Sequence, residues 1–280
     1  MLLKSFSSKS ILCVGHVCHD KVNGKVVLGG AVSFMAFLLS RYGNEVSILS
    51  SYGNDFKYEH FLKELDIIMH NQYSGKTTHF ENIYKGEDRK QYIGPVAREI
   101  NLSLIDSTEY DLIVFAPIAD EFNLSGLKKK KADFWVACPQ GFLREWDDSG
   151  LVSNKTIDWG KLSGMDLIIL SEMDLKNREE DIKELQQQCN HIVVTRGSLP
   201  TIVYSDNKKY FSNTRHTEIR TRTGAGDLYA AAYILAYYTF KEIDIALNFA
   251  LISTSLCIEQ ERFENYPKLD EVLLGMSSLN

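Results

Sequence analysis

An α/β fold with a mainly parallel central sheet covered on both faces is what the sequence predicts, and three observations carry that expectation. Short apolar bursts rich in β-branched residues recur along the chain with helical patterns between them, as buried parallel strands require. Two segments, KVNGKVVLGG and TTHFENIYKGEDRKQYI, depart from this pattern and read as hairpins. From Gly224 onward the pattern is mostly helical. A chain of 280 residues suits a single α/β domain over 1–280, with the hairpins forming a small β-flap at about 20–28 and 77–94.

In order, ILCVG (Ile11 to Gly15) reads as a buried strand and AVSFMAFLLSRYG (Ala31 to Gly43) as a helix stopped by glycine. Strand EVSILS and helix EHFLKEL follow, and DLIVFAP, DFWVACP, DLIIL and HIVVT supply further strands. REEDIKELQQQC is an exposed helix between the last two. The Asn-Gly pair in KVNGKVV is a strong hairpin signal. Alternation along the second hairpin puts Phe80, Asn82 and Tyr84 on one face, with His79, Glu81 and Ile83 on the other. The run Lys128 to Lys131 reads as a solvated turn or helix face.

Hydrophobic residues make up 44% of the chain, enough for a substantial core. A net charge of -6 argues against nonspecific binding to nucleic acid or to an anionic membrane, since both favour basic surfaces. Anionic ligands are not excluded, because a few local amides and cations suffice to hold them. Cys13, Cys18, Cys138, Cys189 and Cys257 form no CxxC pair and suit no zinc module. They read as reduced thiols of a cytoplasmic protein. The segment MLLKSFSSKS lacks an apolar signal core, and no apolar run is long enough to span a bilayer.

The chemistry concentrates in Thr223-Gly224-Ala225-Gly226-Asp227. Glycines let the chain turn tightly, and a helix starting there adds unpaired N–H groups and partial positive charge. Together these make an anion hole of phosphate size, with Asp227 beside it. From pattern alone Asp227 has two readings: a catalytic carboxylate, or an acid that merely complements the helix dipole. A dinucleotide turn is rejected, because Tyr229 stands where the third glycine belongs and a polar stretch precedes the turn. No GxxxxGK[ST] motif occurs.

TGAGD followed by a small-residue helix resembles the signature of the ribokinase-like carbohydrate kinases, the PfkB family. LGGAVSFMAFLLSRYGNEVSILSSYGNDF is similar to that family's first signature region, ILCVGHVCHD to its opening strand, and VTRGS to its nucleotide segment. FENIYKGEDRKQYI and CPQGFLREW are similar to short, divergent members. The resemblance covers nearly the whole chain. It implies a three-layer αβα sandwich with a β-lid, and transfer of the γ-phosphate of ATP, with Mg²⁺, to a hydroxyl of a small polyhydroxylated substrate. Asp227 would be the catalytic base, with the amides of Gly224, Ala225 and Gly226 stabilising the transferring group. A helix N-terminus is expected to lower the pKa of Asp227 and weaken it as a base.

Asp20, Gly29 and Gly30 would bind substrate, though a surface-loop acid and a plain strand-to-helix turn are the alternatives for them. Ser171, Thr195, Gly197 and Thr223 would bind nucleotide, and Asp174 would hold Mg²⁺ through water. The hairpin TIVYSDNKKYF would decorate the nucleotide side or an edge. Arg144 is either a phosphate contact or a surface ion pair. His16 and His19 read as core or lid packing residues. Several positions depart from the family pattern. Ser171 and Asp174 replace Asn and Glu, Pro200 replaces glycine, and Phe34 stands where many members carry asparagine. Thr221 and Arg222 are unusual before TGAGD. These departures suggest a more apolar pocket, and leave sugar, inositol and nucleoside acceptors open. They also leave a non-catalytic sensor on the same fold as the rival reading. Exposed apolar lid residues such as Phe80 and Tyr84 would offer a surface for a homodimer.

Overall fold

The computed structural model describes residues 6–277 except 86–87, 106–108, 125–126, 128–131, 222 and 262; the side chains at 84, 85, 88 and 89 are also outside the description. The Lys128 to Lys131 run, Arg222 and the Tyr84 side chain therefore lie outside the described residues. In chain order come β1 (Ser10–Val14), β2 (Cys18–Val22), β3 (Lys25–Gly29), α1 (Ala31–Arg41), β4 (Glu45–Ser50), α2 (Glu59–Lys63), β5 (Ile68–Asn71), β6 (Thr78–Lys85) and β7 (Asp88–Ile93). Then follow β8 (Tyr110–Phe115), β9 (Ala132–Ala137), β10 (Arg144–Trp146), β11 (Val152–Asn154), β12 (Leu167–Ser171), α3 (Arg178–Gln188), β13 (His191–Arg196), β14 (Leu199–Ser205) and β15 (Lys208–Phe211). The chain ends in α4 (Ala225–Phe240), α5 (Ile243–Ile258) and α6 (Leu269–Ser277).

The main sheet has the order β15-β14-β13-β12-β9-β8-β1-β4-β5. Its pairings are parallel from β13 through β5, and β14 and β15 extend the edge antiparallel. The apolar runs alternate between two cores, which is why they carry no polar face. Ile11 and Cys13 join a core with α1, α4 and α5, whereas Leu12 and Val14 join the core under α3. The result is a three-layer αβα sandwich. β5, a short edge strand of sequence IMHN, has too polar a pattern to be anticipated. TIVYSDNKKYF is the edge hairpin β14–β15, turned at Asp206 and Asn207 with φ of 49° and 60°.

A second sheet, of order β3-β2-β6-β7, joins the two predicted hairpins through parallel pairing of β2 with β6. The Asn-Gly signal is borne out. Asn23 and Gly24 have φ of 50° and 77°, as a two-residue turn between Val22 and Lys25 demands. Alternation along β6 also holds, but Phe80 is 2% exposed. That burial removes it as a subunit-pairing surface, because the face it shares with Asn82 turns inward.

α4 is buried along its whole middle, from Leu228 to Ala236. Ala230, Ala231, Ala232 and Ala236 let α1 and α5 approach it closely. That packing explains why the helix after the glycine turn is so rich in small residues. No helix among the described residues is long and apolar enough to cross a membrane.

Candidate active site

Gly224 opens α4 in the left-handed region, with φ of 77°. Its carbonyl accepts from the Leu228 amide at 2.9 Å, starting the helical ladder. Among the described residues no side chain caps this terminus, so the first amides of α4 keep the anion-binding character of a bare helix start. Among the described residues nothing stands within 4 Å of a Cβ built on exposed Gly226, so the space beside it is open. Half-buried Asp227 lies in the first turn, one residue further on.

Burial pushes the Asp227 carboxyl up to about 7; Arg144 acts to lower it, and Asp20 and Asp174 raise it. This reverses the depressed pKa expected from a helix N-terminus. Loss of water outweighs the partial charge of the helix end. The same influences show that α4, β10, β2 and the turn after β12 bring four charged side chains into one locality.

Arg144 is 8% exposed, which overturns the surface ion-pair reading. Nη1 donates to the Ile118 carbonyl at 3.0 Å and Nη2 to Gln140 Oε1 at 2.7 Å. The guanidinium carbon lies 5.3 Å from the centre of the Phe80 ring, a cation–π contact from the second sheet. Asp20 belongs to strand β2, not to a surface loop. Gly29 lies across from Cys18, and a Cβ there would sit 2.6 Å from the Asp20 carboxyl carbon. Glycine thus makes room for this carboxylate. Gly30, with φ of 92°, starts α1, and a Cβ on it would stand 2.5 Å from the His16 carbonyl oxygen.

The two glycine turns meet through Phe34. Its ring packs against Gly224 and lies 5.5 Å from the Phe263 ring. Phe34 therefore braces the anion turn from within the core. His16 is fully buried, with its ring nitrogens paired to Thr78 Oγ1 and the Arg98 carbonyl, and His19 stacks on Phe56. Both are packing residues, as expected.

On the other flank, Ser171 and Thr195 are register partners at the ends of β12 and β13. Ser171 Oγ accepts from the Met173 amide at 3.2 Å, and Asp174 Oδ2 accepts from the Ser171 amide at 2.8 Å. This capping box builds the 3-10 turn Glu172–Asp174, so both residues have a local structural role. Thr195 Oγ1 donates to the Leu170 carbonyl at 3.4 Å. Gly197, with φ of 62°, sits exposed in the β13–β14 turn, and half-buried Thr223 precedes the anion turn. Among the described residues no group of three His, Cys, Asp or Glu side chains could hold a metal by itself. Asp174 fits the lesser demand of Mg²⁺ carried on phosphates, which takes one or two protein carboxylates and keeps its waters.

Sequence reasoning missed two participants. Cys138, at the end of β9, is close enough to Asp227 and Asp174 that, after burial, their charges help push its thiol up. Glu121, 2% exposed, reads in the sequence as an ordinary loop acid after a strand. Nothing in the residues around it announces its burial.

Comparison with known proteins accords with this architecture. A profile described as pfkB family carbohydrate kinase matches residues 157–267, which include the glycine turn and Asp227. A nucleoside kinase of Methanocaldococcus jannaschii is 22% identical, with 95% of this chain and 96% of that protein aligned. A pyrophosphate-dependent kinase of the ribokinase family superposes with a TM-score of 0.79 at 23% identity, covering 91% of this chain and 98% of that one. Ribokinase from Thermotoga maritima gives a TM-score of 0.75 at 17% identity, over 96% and 99% of the two chains. The fold is ribokinase-like. On that fold, residues 157–267 are similar to the pfkB carbohydrate kinases, in keeping with a phosphotransferase that takes an alcohol group as acceptor.

Proposed function

We propose that this protein transfers the γ-phosphate of ATP to a hydroxyl of a small polyhydroxylated acceptor, with Asp227 as the base. One observation carries the reading: the Asp227 carboxyl stands beside an uncapped, open glycine turn, with its pKa raised to about 7. A base titrating there is matched to neutral conditions. The acceptor hydroxyl gives its proton to the Asp227 carboxylate as its oxygen bonds to the terminal phosphorus. The bond from that phosphorus to the bridging oxygen breaks, and ADP leaves. The amides of Gly224, Ala225 and Gly226 face the transferring group, and Arg144 supplies a fork of donors next to the base. Asp20, with room made by Gly29, accepts hydrogen bonds from acceptor hydroxyls, and Gly30 lets the start of α1 lie close against the His16–Cys18 backbone beside it.

Ser171, Thr195, Gly197 and Thr223 border the donor side. Asp174 would hold Mg²⁺ through water, and the ion would neutralise charge on the donor phosphates. The second sheet acts as the lid whose closure excludes water. The reading is tested by ADP release with a panel of sugars, inositols and nucleosides, with pyrophosphate as a parallel donor. An accepted substrate should turn over with kcat/KM rising through pH 7, and Asp227→Asn should lower kcat by about 10²–10⁴-fold. Ligand binding with no turnover from either donor would instead make the protein a sensor. Turnover with pyrophosphate alone would replace ATP as the donor.

A further inference from the structure

We propose that Glu121 is a positioning residue that ties Arg144 and the root of the second sheet to one buried carboxylate. The proposal rests on the reading of Arg144 as the cation of the site.

Glu121 lies in the segment after β8. Oε1 accepts from the His16 amide at 2.7 Å. The Ile118 amide lies 3.0 Å from Oε1 and 2.9 Å from Oε2, and the Ala119 amide donates to Oε2 at 2.7 Å. The Ala119 N–H and the Ile118 carbonyl belong to the same planar peptide group. Glu121 holds that group by its N–H, and Arg144 Nη1 binds it by its oxygen at 3.0 Å. One peptide thus relays the position of Glu121 to the guanidinium. The relay is braced from β9's side, because the Gly141 amide donates to the Pro117 carbonyl at 2.9 Å.

The third amide gives the carboxylate a second task. His16 lies between β1 and β2, where the chain leaves the main sheet for the second one. Its ring binds Thr78 Oγ1 at the start of β6, so the same residue anchors both parallel strands of that sheet. Phe80, two residues along β6, lies under the Arg144 guanidinium. Glu121 therefore closes a loop of contacts from the root of the lid to the cation and back to the lid. Only an anion with two acceptor oxygens satisfies these donors. A glutamine in its place would turn an N–H group toward an amide N–H.

The test is a double-mutant cycle with Glu121→Gln and Arg144→Met, read as kcat and KM for donor and acceptor, beside a crystal structure of the Glu121→Gln protein. Glu121→Asp, which keeps the charge on a shorter arm, replaces Glu121→Gln if the latter does not fold. If Glu121 places Arg144, adding Glu121→Gln to the Arg144→Met protein lowers kcat by less than about twofold further, while the lost tie to the root of the second sheet remains as a rise in acceptor KM. The crystal structure should show the guanidinium displaced from the Ile118 carbonyl. Multiplying losses in kcat, or an unmoved guanidinium, overturn the proposal. If the wild-type protein turns over no acceptor with either donor, the kinase reading fails on its own. The position of Arg144 in the variant crystal then decides whether Glu121 places it.

Discussion

A methyl group added at Gly224 would stand 2.4 Å from the Phe34 ring, on a backbone held at φ of 77°. Gly224→Ala therefore carries two costs: about 1–2 kcal/mol for a left-handed L-residue and about 1–3 kcal/mol for overpacking. Urea unfolding should show a loss in the sum of those ranges, and a Phe34→Leu background should relieve the overpacking part while leaving the backbone part. The need for glycine was legible in TGAGD, because a tight turn into a helix asks for it. The partner was not. Phe34 lies far from Gly224 in sequence, and only the packing of α1 on α4 brings the ring beneath the turn. Asp227 divides in the same way. Its place in the first turn follows from the motif, but its raised pKa depends on burial beneath residues from other elements, and there the local argument pointed the wrong way.

At the scale of the element, α4 couples packing to chemistry. Ala231 and Ala232 are fully buried among neighbouring helices, and Asp227 sits at the head of the same rod. Ala232→Leu should destabilise the protein by about 1–3 kcal/mol, measured as a lowered urea midpoint. ADP release should fall with it, because a helix pushed off its neighbours carries Asp227 away from Arg144 and Asp20. The short apolar strands, the Asn-Gly turn and the exposed helix α3 were readable because their composition, periodicity or turn chemistry is local. β5 was not, since four residues of mixed polarity at a sheet edge carry no period. Parallel pairing of β2 with β6 was equally hidden. It joins two hairpins separated by α1, β4, α2 and β5, and no local pattern encodes a partner at that distance.

For the whole molecule, two groups shifted by desolvation give stability opposite dependences on pH. Asp227 titrates at about 7 in the fold, above the usual carboxylate value of 3.8, with Arg144 opposing and Asp20 and Asp174 reinforcing the shift. The unfolded chain loses that proton more readily, so stability falls as pH rises from about 4 to 7 and stays reduced above it. Asp227→Asn should accordingly raise Tm at pH 8 and change it little at pH 4, even as it lowers kcat. His191 behaves in the other sense. It shares a 2.8 Å hydrogen bond with Tyr233 Oη, has no partner for Nδ1 among the described residues, and titrates at about 4 because of burial and the nearby Lys241. Its contribution is complete above 6.5 and is lost as pH falls through about 4. Thermal melts from pH 4 to 8 on the wild type and His191→Phe should show a shallower acid limb in the variant.

By itself the sequence determined the class of fold, the strands buried on two faces, and the glycine turn with its acid. Each of these is written in neighbouring residues, through periodicity or through the conformations only glycine adopts. The tertiary structure alone decided which distant side chains meet there: Phe34 under Gly224, Arg144 and Asp20 beside Asp227, and Glu121 holding the peptide that Arg144 grips. Those contacts are set by how strands and helices stack. A side chain's burial, and with it the protonation of Asp227, depends on what the rest of the chain lays over it.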